Sequence, residues 1–405
     1  MTDWQKIRDE FPTLKREING KPIAYLDNAA TNLKPQPVVD VIERHYADEA
    51  SNVHRGVHTL SVEATDAYEK ARSTVVEFIN AKSDREVIFT SGTTASLNLI
   101  AMSYGETFLK EGDEILISQM EHHSNIVPWQ ILCEKKGCVL KVAPINSLGE
   151  IIWEDFKKLV NKNTKLISVN YISNSIGTRN PVEKIIEIGH SVGAVVSIDG
   201  AQAVAHSELD VQALDCDFFS FSAHKLVGPT GIGVLYGKED LLEKMPPVLG
   251  GGDMISEVTF EKSTWNVLPF KFEAGTPHIG GVLGMAAGID YVKNIGLKNI
   301  SDREQDLLQY AVSKMKEIEG LQFFGEASEK AAIISFGFKG VHPSDLGTIM
   351  DQYGVAVRTG HHCTQPLMKF FGVPGTTRAS FSFYNNENDV DRLIEAIKKA
   401  KEFLL

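Results

Sequence analysis

The stretch AVVSIDGAQ, residues 194–202, begins as a short run rich in valine and reaches the acid Asp199 just before a glycine. A run of this length is typical of a strand buried on both faces of a parallel sheet. A carboxylate at the end of such a strand is costly to bury unless a cation or several donors meet it. Asp199 is therefore a candidate functional residue, and the alternative is a structural aspartate that caps a turn.

Six similar strands surround this one along the chain and alternate with longer stretches of helical period. This alternation predicts an α/β fold whose large domain has a mainly parallel seven-stranded sheet. The predicted strands comprise residues 86–90, 114–118, 139–143, 165–171, 194–199, 218–222 and 233–236, with helices such as 127–136 and 181–192 between them.

The pattern changes after about residue 265, which predicts a smaller α+β domain at the C-terminus. Its predicted elements are helices over 281–295 and 301–319, strands at 332–338, 355–358 and 378–383, and an amphipathic C-terminal helix. We expect residues 1–20 to form a segment that packs with the small domain. Residues 21–265 would form the large domain, and 266–405 an interdomain helix followed by the small domain.

The composition is that of an ordinary soluble enzyme: of 405 residues, 43% are hydrophobic and 23% are charged, and the formal net charge is -12. This negative balance argues against binding of nucleic acid, whose phosphates need a positive surface. No segment has the apolar character of a signal peptide or a membrane span, so we expect a cytoplasmic protein without membrane contact. Four scattered cysteines predict free thiols rather than a disulfide framework.

Polar side chains recur just beyond the ends of the predicted strands. In a parallel sheet these ends face one crevice, so residues far apart in the sequence can form one site. The set comprises Thr93, Thr94, Glu121, His122, His123, Asn174, Asp199, Gln202, Ser222, His224 and Lys225.

The segment SGTTAS, residues 91–96, lies between a strand and an apolar helical run. Free backbone N–H groups at a helix start, together with the hydroxyls of Thr93 and Thr94, suit a phosphate group. The alternative is a helix cap without a ligand.

Lys225 directly follows an apolar strand in FSFSAHKLVGPTGIGVLYG, residues 219–237. Partial desolvation there would favour the neutral amine that is needed to form an imine, and the alternative is a surface lysine on a loop. The glycines that follow do not form the GxGxxG pattern of dinucleotide sites.

Two histidine-rich segments, EHHS at 121–124 and HHC at 361–363, lack the ligand spacing of a metal site, so we expect no metal. His122 could still lie flat over an aromatic cofactor. In RTGHHC, residues 358–363, Cys363 has two histidines and an arginine nearby, which favours a reactive thiolate. The other cysteines, Cys133, Cys138 and Cys216, have the sequence contexts of packing residues.

Many ordered motifs make the chain resemble the class V, fold-type I pyridoxal-phosphate (PLP) enzymes, and specifically the Suf-type cysteine desulfurases, which also include selenocysteine lyases. The motifs are YLDNAAT, SNVHRGVH, FTSGTTASLN, QMEHHSNIVPW, VNYISNSIGT, IDGAQAVAH, FSAHKLVGPTGIGVLYG, FEAGTPHIGG and RTGHHC. They extend over essentially the whole chain. The implied fold is that of the fold-type I PLP transferases, and the implied cofactor is PLP.

By this resemblance Lys225 would carry the cofactor as a Schiff base, Asp199 would pair with its pyridine nitrogen, and Gln202 would reach its ring hydroxyl. His122 would stack on the ring. The phosphate would be held by Thr94, Ser222 and His224, with Thr276 contributed by a partner subunit, which implies a homodimer.

The resemblance also assigns the substrate residues. Arg378 would clamp the substrate carboxylate, a task that suits a guanidinium, and Asn174 would assist. Cys363 would be the nucleophile that becomes a persulfide. His54, Arg55 and Arg358 would line the entrance or the mobile cysteine loop.

The implied reaction converts L-cysteine to L-alanine and leaves an enzyme-bound persulfide for iron-sulfur cluster assembly or other sulfur transfer. RTGHHC matches the branch of the family that depends on a small acceptor protein of the SufE or SufU type. The alternatives are a selenocysteine lyase, another PLP-dependent β-cleavage of the kynureninase kind, or a non-catalytic scaffold that binds sulfur-transfer proteins.

Overall fold

The structure is a computed structural model that describes residues 2–405, so Met1 of the predicted N-terminal segment lies outside it. Its centre is a seven-stranded sheet. Across the sheet the strands follow the order Val87–Thr90, Gly233–Gly237, Phe218–Ser222, Val195–Asp199, Thr164–Asn170, Glu114–Ser118 and Val139–Ala143. Gly233–Gly237 runs antiparallel to both neighbours, and the other six strands share one direction. The predicted fold class is confirmed, and each predicted strand agrees within one residue.

The central strands of this sheet are buried along nearly their whole length because helices cover them. The large-domain helices include Gln36–Ala47, Thr59–Ile79, Thr93–Leu99, Val127–Lys136, Trp153–Leu159, Val182–Ser191 and Glu239–Lys244. The long helix Ile279–Ile295 packs on two of them. A Cβ atom on its Gly288 would lie 3.2 Å from the backbone nitrogen of Gly228, so glycine allows this helix to support the loop after Lys225.

The small domain is an antiparallel four-stranded sheet in the order Leu321–Phe324, Ile333–Phe338, Thr376–Ser380 and Arg358–Gly360. Its helices are Leu297–Met315, Pro343–Gln352, Gln365–Phe371 and Glu387–Leu404. A separate apolar core lies between the sheet and three of these helices.

Several elements of this domain differ from the sequence-based expectation. The strand expected at 355–358 is divided into Val355–Ala356 and Arg358–Gly360, which pair with different strands. The helix expected at 301–319 spans Leu297–Met315, because Gly296 at φ 90° lets the chain start a new helix at once. The strand expected at 378–383 spans Thr376–Ser380, since the side chain of Asn385 accepts from the Ser382 amide and turns the chain. The strand Leu321–Phe324 was not predicted.

The N-terminal segment lies against the small domain. Arg8 in the helix Trp4–Asp9 donates to the Asp389 carboxylate at 2.8 Å. Beyond this segment, the strand Ala24–Tyr25, which was expected in the large domain, pairs in parallel with Val355–Ala356. The domain limits given above stay a prediction. A solvent-exposed hairpin, Ile255–Val258 and Ser263–Trp265, protrudes from the large domain. Within residues 2–405, none of the helices has the length and apolar character for crossing a bilayer.

Candidate active site

A cavity of about 220 Å³ opens at the carboxyl ends of the parallel strands. Its wall contains most of the residues that the sequence singled out. They are Thr93, Thr94, His122, Asn174, Asp199, Gln202, Ser222, His224, Lys225, Arg358, Cys363 and Arg378. The large domain supplies nine of these side chains, while the small domain supplies the two arginines and the cysteine.

One end of the cavity is built around the start of the helix Thr93–Leu99. Gly92 precedes this helix at φ 136°, and the Ser222 hydroxyl accepts from the Thr93 amide at 2.8 Å. The Thr94 hydroxyl lies 2.6 Å from that of Ser124. Hydroxyl groups and backbone N–H groups at a helix start form a cradle that suits a phosphate.

Lys225 lies in the short helix Ala223–Leu226, directly after the strand Phe218–Ser222. Asn32 holds this turn by donating to the Lys225 carbonyl oxygen at 2.6 Å. Burial lowers the pKa of Lys225 to about 8, although the nearby Asp199 carboxylate opposes this shift. A larger fraction of this amine is therefore neutral and nucleophilic than in an exposed lysine, whose pKa is higher.

Asp199 ends the neighbouring strand and is buried. Its carboxylate accepts from the Ala201 amide at 2.9 Å, and burial raises the pKa of the group. Gln202 lies in the turn that follows and donates to the Ala29 carbonyl oxygen at 2.7 Å. A cation bound in the cavity would offset the cost of burying the Asp199 carboxylate.

His122 presents a neutral imidazole to the cavity. Burial lowers its pKa to about 3, and the charge of Lys225 adds to the effect. The Ser124 amide donates to Nδ1 of His122 at 3.0 Å, so the ring proton resides on Nε2.

Arg378 is fully buried in the strand Thr376–Ser380. It donates from Nη1 to the Asn174 carbonyl oxygen at 2.8 Å and from Nη2 to the Asp27 carboxylate at 2.9 Å. Its Nε atom is buried and has no hydrogen-bond partner among residues 2–405. The guanidinium therefore keeps one donor that residues 2–405 leave unsatisfied.

The Cys363 loop has a constrained backbone, since both His362 and Cys363 adopt positive φ angles, 52° and 58°. The His123 amide donates to the Cys363 carbonyl oxygen at 2.8 Å, and the Asn174 side chain donates to the His362 carbonyl oxygen at 2.7 Å. Nη2 of Arg358 lies 3.8 Å from the Cys363 sulfur. The thiol thus faces the same cavity as Lys225, beside a cation.

The other three cysteines lie away from this cavity in environments that favour the thiol. Burial raises the pKa of Cys133 to about 11, and it also raises the pKa of Cys138 and of Cys216. Among residues 2–405, Cys363 is the only cysteine that lines the cavity.

Three of the predicted residues lie outside the cavity wall of this chain. His54 pairs with Glu69 at 2.7 Å, and Arg55 pairs with Asp253. Thr276 is exposed after Gly275, which has φ 81°. Their roles in substrate entry and in a partner subunit's site stay predictions.

The cavity also contains polar residues that were not assigned a role from the sequence: Ser124, Asn170 and His362. Ser124 occurs in EHHS and His362 in RTGHHC, two motifs in which His122 and Cys363 were the residues assigned a role. In the part of the chain that the structure describes, no cluster of three histidine, cysteine or acidic side chains is arranged for a metal.

Comparison with known proteins agrees with this geometry. The family model "Aminotransferase class-V" matches residues 24–393. A "Probable cysteine desulfurase" of Staphylococcus aureus is 51% identical over 402 residues, which cover 99% of this chain and 97% of the relative. A "Cysteine desulfurase" of Cronobacter sakazakii is 47% identical, with 99% and 98% of the two chains covered.

Among solved structures, the cysteine desulfurase CsdA of Escherichia coli superposes with a TM-score of 0.93 at 38% identity, with 100% of both chains covered. The apo cysteine desulfurase of Thermococcus onnurineus gives a TM-score of 0.94 at 38% identity, covering 100% of this chain and 99% of the other. The motif-based family prediction is confirmed, and the chain belongs to the class-V aminotransferase family.

Proposed function

We propose that this chain is a PLP-dependent cysteine desulfurase, which converts L-cysteine to L-alanine and retains the sulfur as a persulfide on Cys363. The main support for this proposal is that Lys225, Asp199 and Cys363 line the same cavity, although they come from two strands and a separate domain. Both the family and the high identity to desulfurases over the full length support this proposal.

The residues present fit PLP. Thr93, Thr94 and Ser222 would hold its phosphate, and Asp199 would meet the protonated pyridine nitrogen, which is the cation that a buried carboxylate requires. His224 has a buried Nδ1 atom without a hydrogen-bond partner in residues 2–405, so it retains capacity for the phosphate. PLP would supply an electron sink for the charge that develops at the substrate Cα.

Arg378 would bind the substrate carboxylate, and its orientation is fixed by Asp27 and Asn174. A guanidinium of fixed orientation recognises a carboxylate by charge-assisted hydrogen bonds. Arg378 and Lys225 face the same cavity, so the substrate α-carbon can approach the amine while its carboxylate is bound. Lys225, with its pKa lowered to about 8, then accepts the α-proton as a general base.

Sulfur transfer falls to Cys363. Its thiolate attacks the substrate sulfur, a new S–S bond forms, and the substrate Cβ–S bond breaks. The electron pair of that bond remains on the organic fragment, which takes up protons and leaves as alanine. The Arg358 guanidinium lies 3.8 Å from the sulfur, so its positive charge faces the atom that begins this step.

Two partners belong to the proposal. A sulfur-acceptor protein of the SufE or SufU type would dock next to Cys363, where a groove of about 820 Å³ is lined by apolar residues such as Ile126, Val127 and Val373. A second copy of the chain would place its Thr276 at the phosphate, and the exposure of Thr276 supports this arrangement. Iron-sulfur cluster assembly would be one use of the sulfur, and a cytoplasmic location stays a prediction.

The test is to measure alanine and sulfide from cysteine, and alanine and selenide from selenocysteine, with wild type and Cys363→Ala. A desulfurase that uses Cys363 loses activity on cysteine in the variant. Normal turnover of cysteine by Cys363→Ala would overturn the proposal, and a wild type that cleaves only selenocysteine would favour the selenocysteine lyase instead.

A further inference from the structure

Glu121 is a buried carboxylate in the loop that carries His122, and the reaction outlined above gives it no role. Its side chain is 1% exposed. It accepts from the Ser118 hydroxyl at 2.5 Å, from the Asn125 amide at 2.7 Å, and from the Asn170 backbone amide at 3.0 and 2.9 Å. No lysine, arginine or histidine of residues 2–405 forms an ion pair with it.

Burying a carboxylate without a cation is costly, and here the burial raises the pKa of Glu121 to about 7. Glutamine would not reproduce the contacts. A glutamine amide has one accepting oxygen, and its NH₂ group would face the donating Asn125 amide or Asn170 amide. The two oxygens of Glu121 accept from every donor that converges here, whereas in a glutamine the NH₂ group would lie against the Asn170 N–H.

These contacts join three parts of the fold. Ser118 and Asn170 end two neighbouring parallel strands, and Asn170 is paired in register with Asp199. Asn125 closes the turn that begins at His122, and its own oxygen accepts from the Trp129 indole and the Ser168 hydroxyl. Glu121 therefore fastens the turn 122–125 to the edge of the sheet where the cavity opens.

The turn 122–125 adjoins three regions of the cavity: Lys225, the phosphate cradle and the Cys363 loop. His122 faces Lys225, and Ser124 contacts Thr94 in the phosphate cradle. His123 donates its amide to the Cys363 carbonyl oxygen, while its Nε2 accepts from the Gln365 amide at 3.1 Å on the other side of the same loop.

We propose that Glu121 is a positioning residue. Its carboxylate holds the turn 122–125 in place, so that the imidazole of His122 and the Cys363 loop keep fixed positions relative to each other. The inference rests on the proposed function for the role of His122 toward PLP. Its effect on the Cys363 loop is independent of the cofactor.

The test compares Glu121→Gln with Glu86→Gln in the full-length protein. Glu86 is also buried, 5% exposed, and accepts from backbone amides of Lys82 at 2.9 Å and Glu239 at 3.4 Å, but it does not line the cavity. Glu86→Gln thus makes the same change to a buried glutamate that lies outside the cavity, and it serves as the control for Glu121→Gln.

We expect Glu121→Gln to retain the bound cofactor yet to halve its visible circular dichroism signal. It should lower kcat for cysteine about 10-fold with KM changed less than about threefold, as misplacement of reacting groups predicts. In the PLP-free protein, the rate of Cys363 alkylation should change at least about threefold, because the loop loses its register. Glu121→Asp, which keeps two accepting oxygens, should restore part of each signal.

Ser118→Ala removes one donor alone and covers the case in which Glu121→Gln does not fold. It should change the alkylation rate and the dichroism in the same direction by a smaller factor. If Glu121→Gln, or Ser118→Ala where the first variant is insoluble, matches Glu86→Gln in both signals, the positioning role is overturned. A wild type without desulfurase activity would refute the proposed function, whereas Cys363 alkylation in the PLP-free protein would still decide the role of Glu121.

Discussion

The guanidinium of Arg358 lies beside the thiol of Cys363, with 3.8 Å between Nη2 and Sγ. The loop that holds this cysteine adopts two consecutive positive φ angles and is tied to the large domain by His123 and Asn174. The contact is therefore a property of a constrained loop, which makes the electrostatic effect of Arg358 testable by substitution.

Arg358→Gln should slow alkylation of Cys363 by iodoacetamide at neutral pH by roughly threefold to tenfold, because it removes the positive charge beside the reacting sulfur. Mass spectrometry of the Cys363 peptide measures this rate. Arg303→Gln, in the helix Leu297–Met315, is the control and should leave it unchanged. An equal rate in wild type and Arg358→Gln would mean that the contact does not influence the sulfur.

Lys225 should react with added PLP in its neutral form, so reconstitution of the PLP-free protein should become faster as pH rises. Burial lowers the pKa of Lys225 to about 8 from 10.5, so the rate should level off above about pH 8 to 9. The absorbance of the bound cofactor reports the rate, and N-acetyl-lysine in the same buffers is the control. A rate that still increases steeply through pH 10 would contradict the lowered pKa.

Arg378→Lys keeps the positive charge but removes the planar fork that Asp27 and Asn174 orient. Hydrogen bonds to charged groups contribute about 1.5–3 kcal/mol, so kcat/KM for cysteine should fall roughly 10-fold to 100-fold. Most of the loss should appear in KM, while the cofactor absorbance persists. Unchanged KM would assign substrate binding to another residue.

The buried ion pair between Arg72 and Glu273 should dominate the stability of its region. Arg72 is 1% exposed and donates to both oxygens of Glu273 at 2.8 Å. Arg72→Met leaves an unpaired buried carboxylate and should reduce the free energy of unfolding by about 3–5 kcal/mol. Urea denaturation of the holoenzyme measures this loss.

The matched control is Arg85→Met, which removes an arginine whose partners Glu239 and Glu243 are well exposed. Its cost should stay below about 1 kcal/mol, because solvent screens such pairs. Equal losses in both variants would show that burial does not strengthen the Arg72 contact.

The positions of Lys225 and Asp199 could be predicted from the sequence pattern. Each lies at or just after the end of an apolar strand, and the end of such a strand can be recognised from a few neighbouring residues. Polar residues that end buried strands must face the crevice or another polar group, so the pattern alone brings them together. This is why the large-domain sheet was predicted within one residue per strand.

Other site residues depend on contacts that no local pattern carries. Arg378 is oriented by Asp27, which lies 351 positions away in the sequence, so only the family resemblance indicated its importance. His362 enters the cavity wall because the backbone turns at φ 52°, and Ser124 does so through its contact with Thr94. A short segment gives no sign of these long-range geometries.

The proposed function depends on the transfer of sulfur from cysteine to Cys363. The most direct measurement is mass spectrometry of the Cys363 peptide after brief exposure of the PLP-loaded protein to L-cysteine, without an acceptor or reductant. We expect this peptide to gain the mass of one sulfur atom, the peptides of Cys133, Cys138 and Cys216 to remain unchanged, and Lys225→Ala to abolish the gain. An unmodified Cys363 peptide alongside stoichiometric alanine would contradict the proposed function.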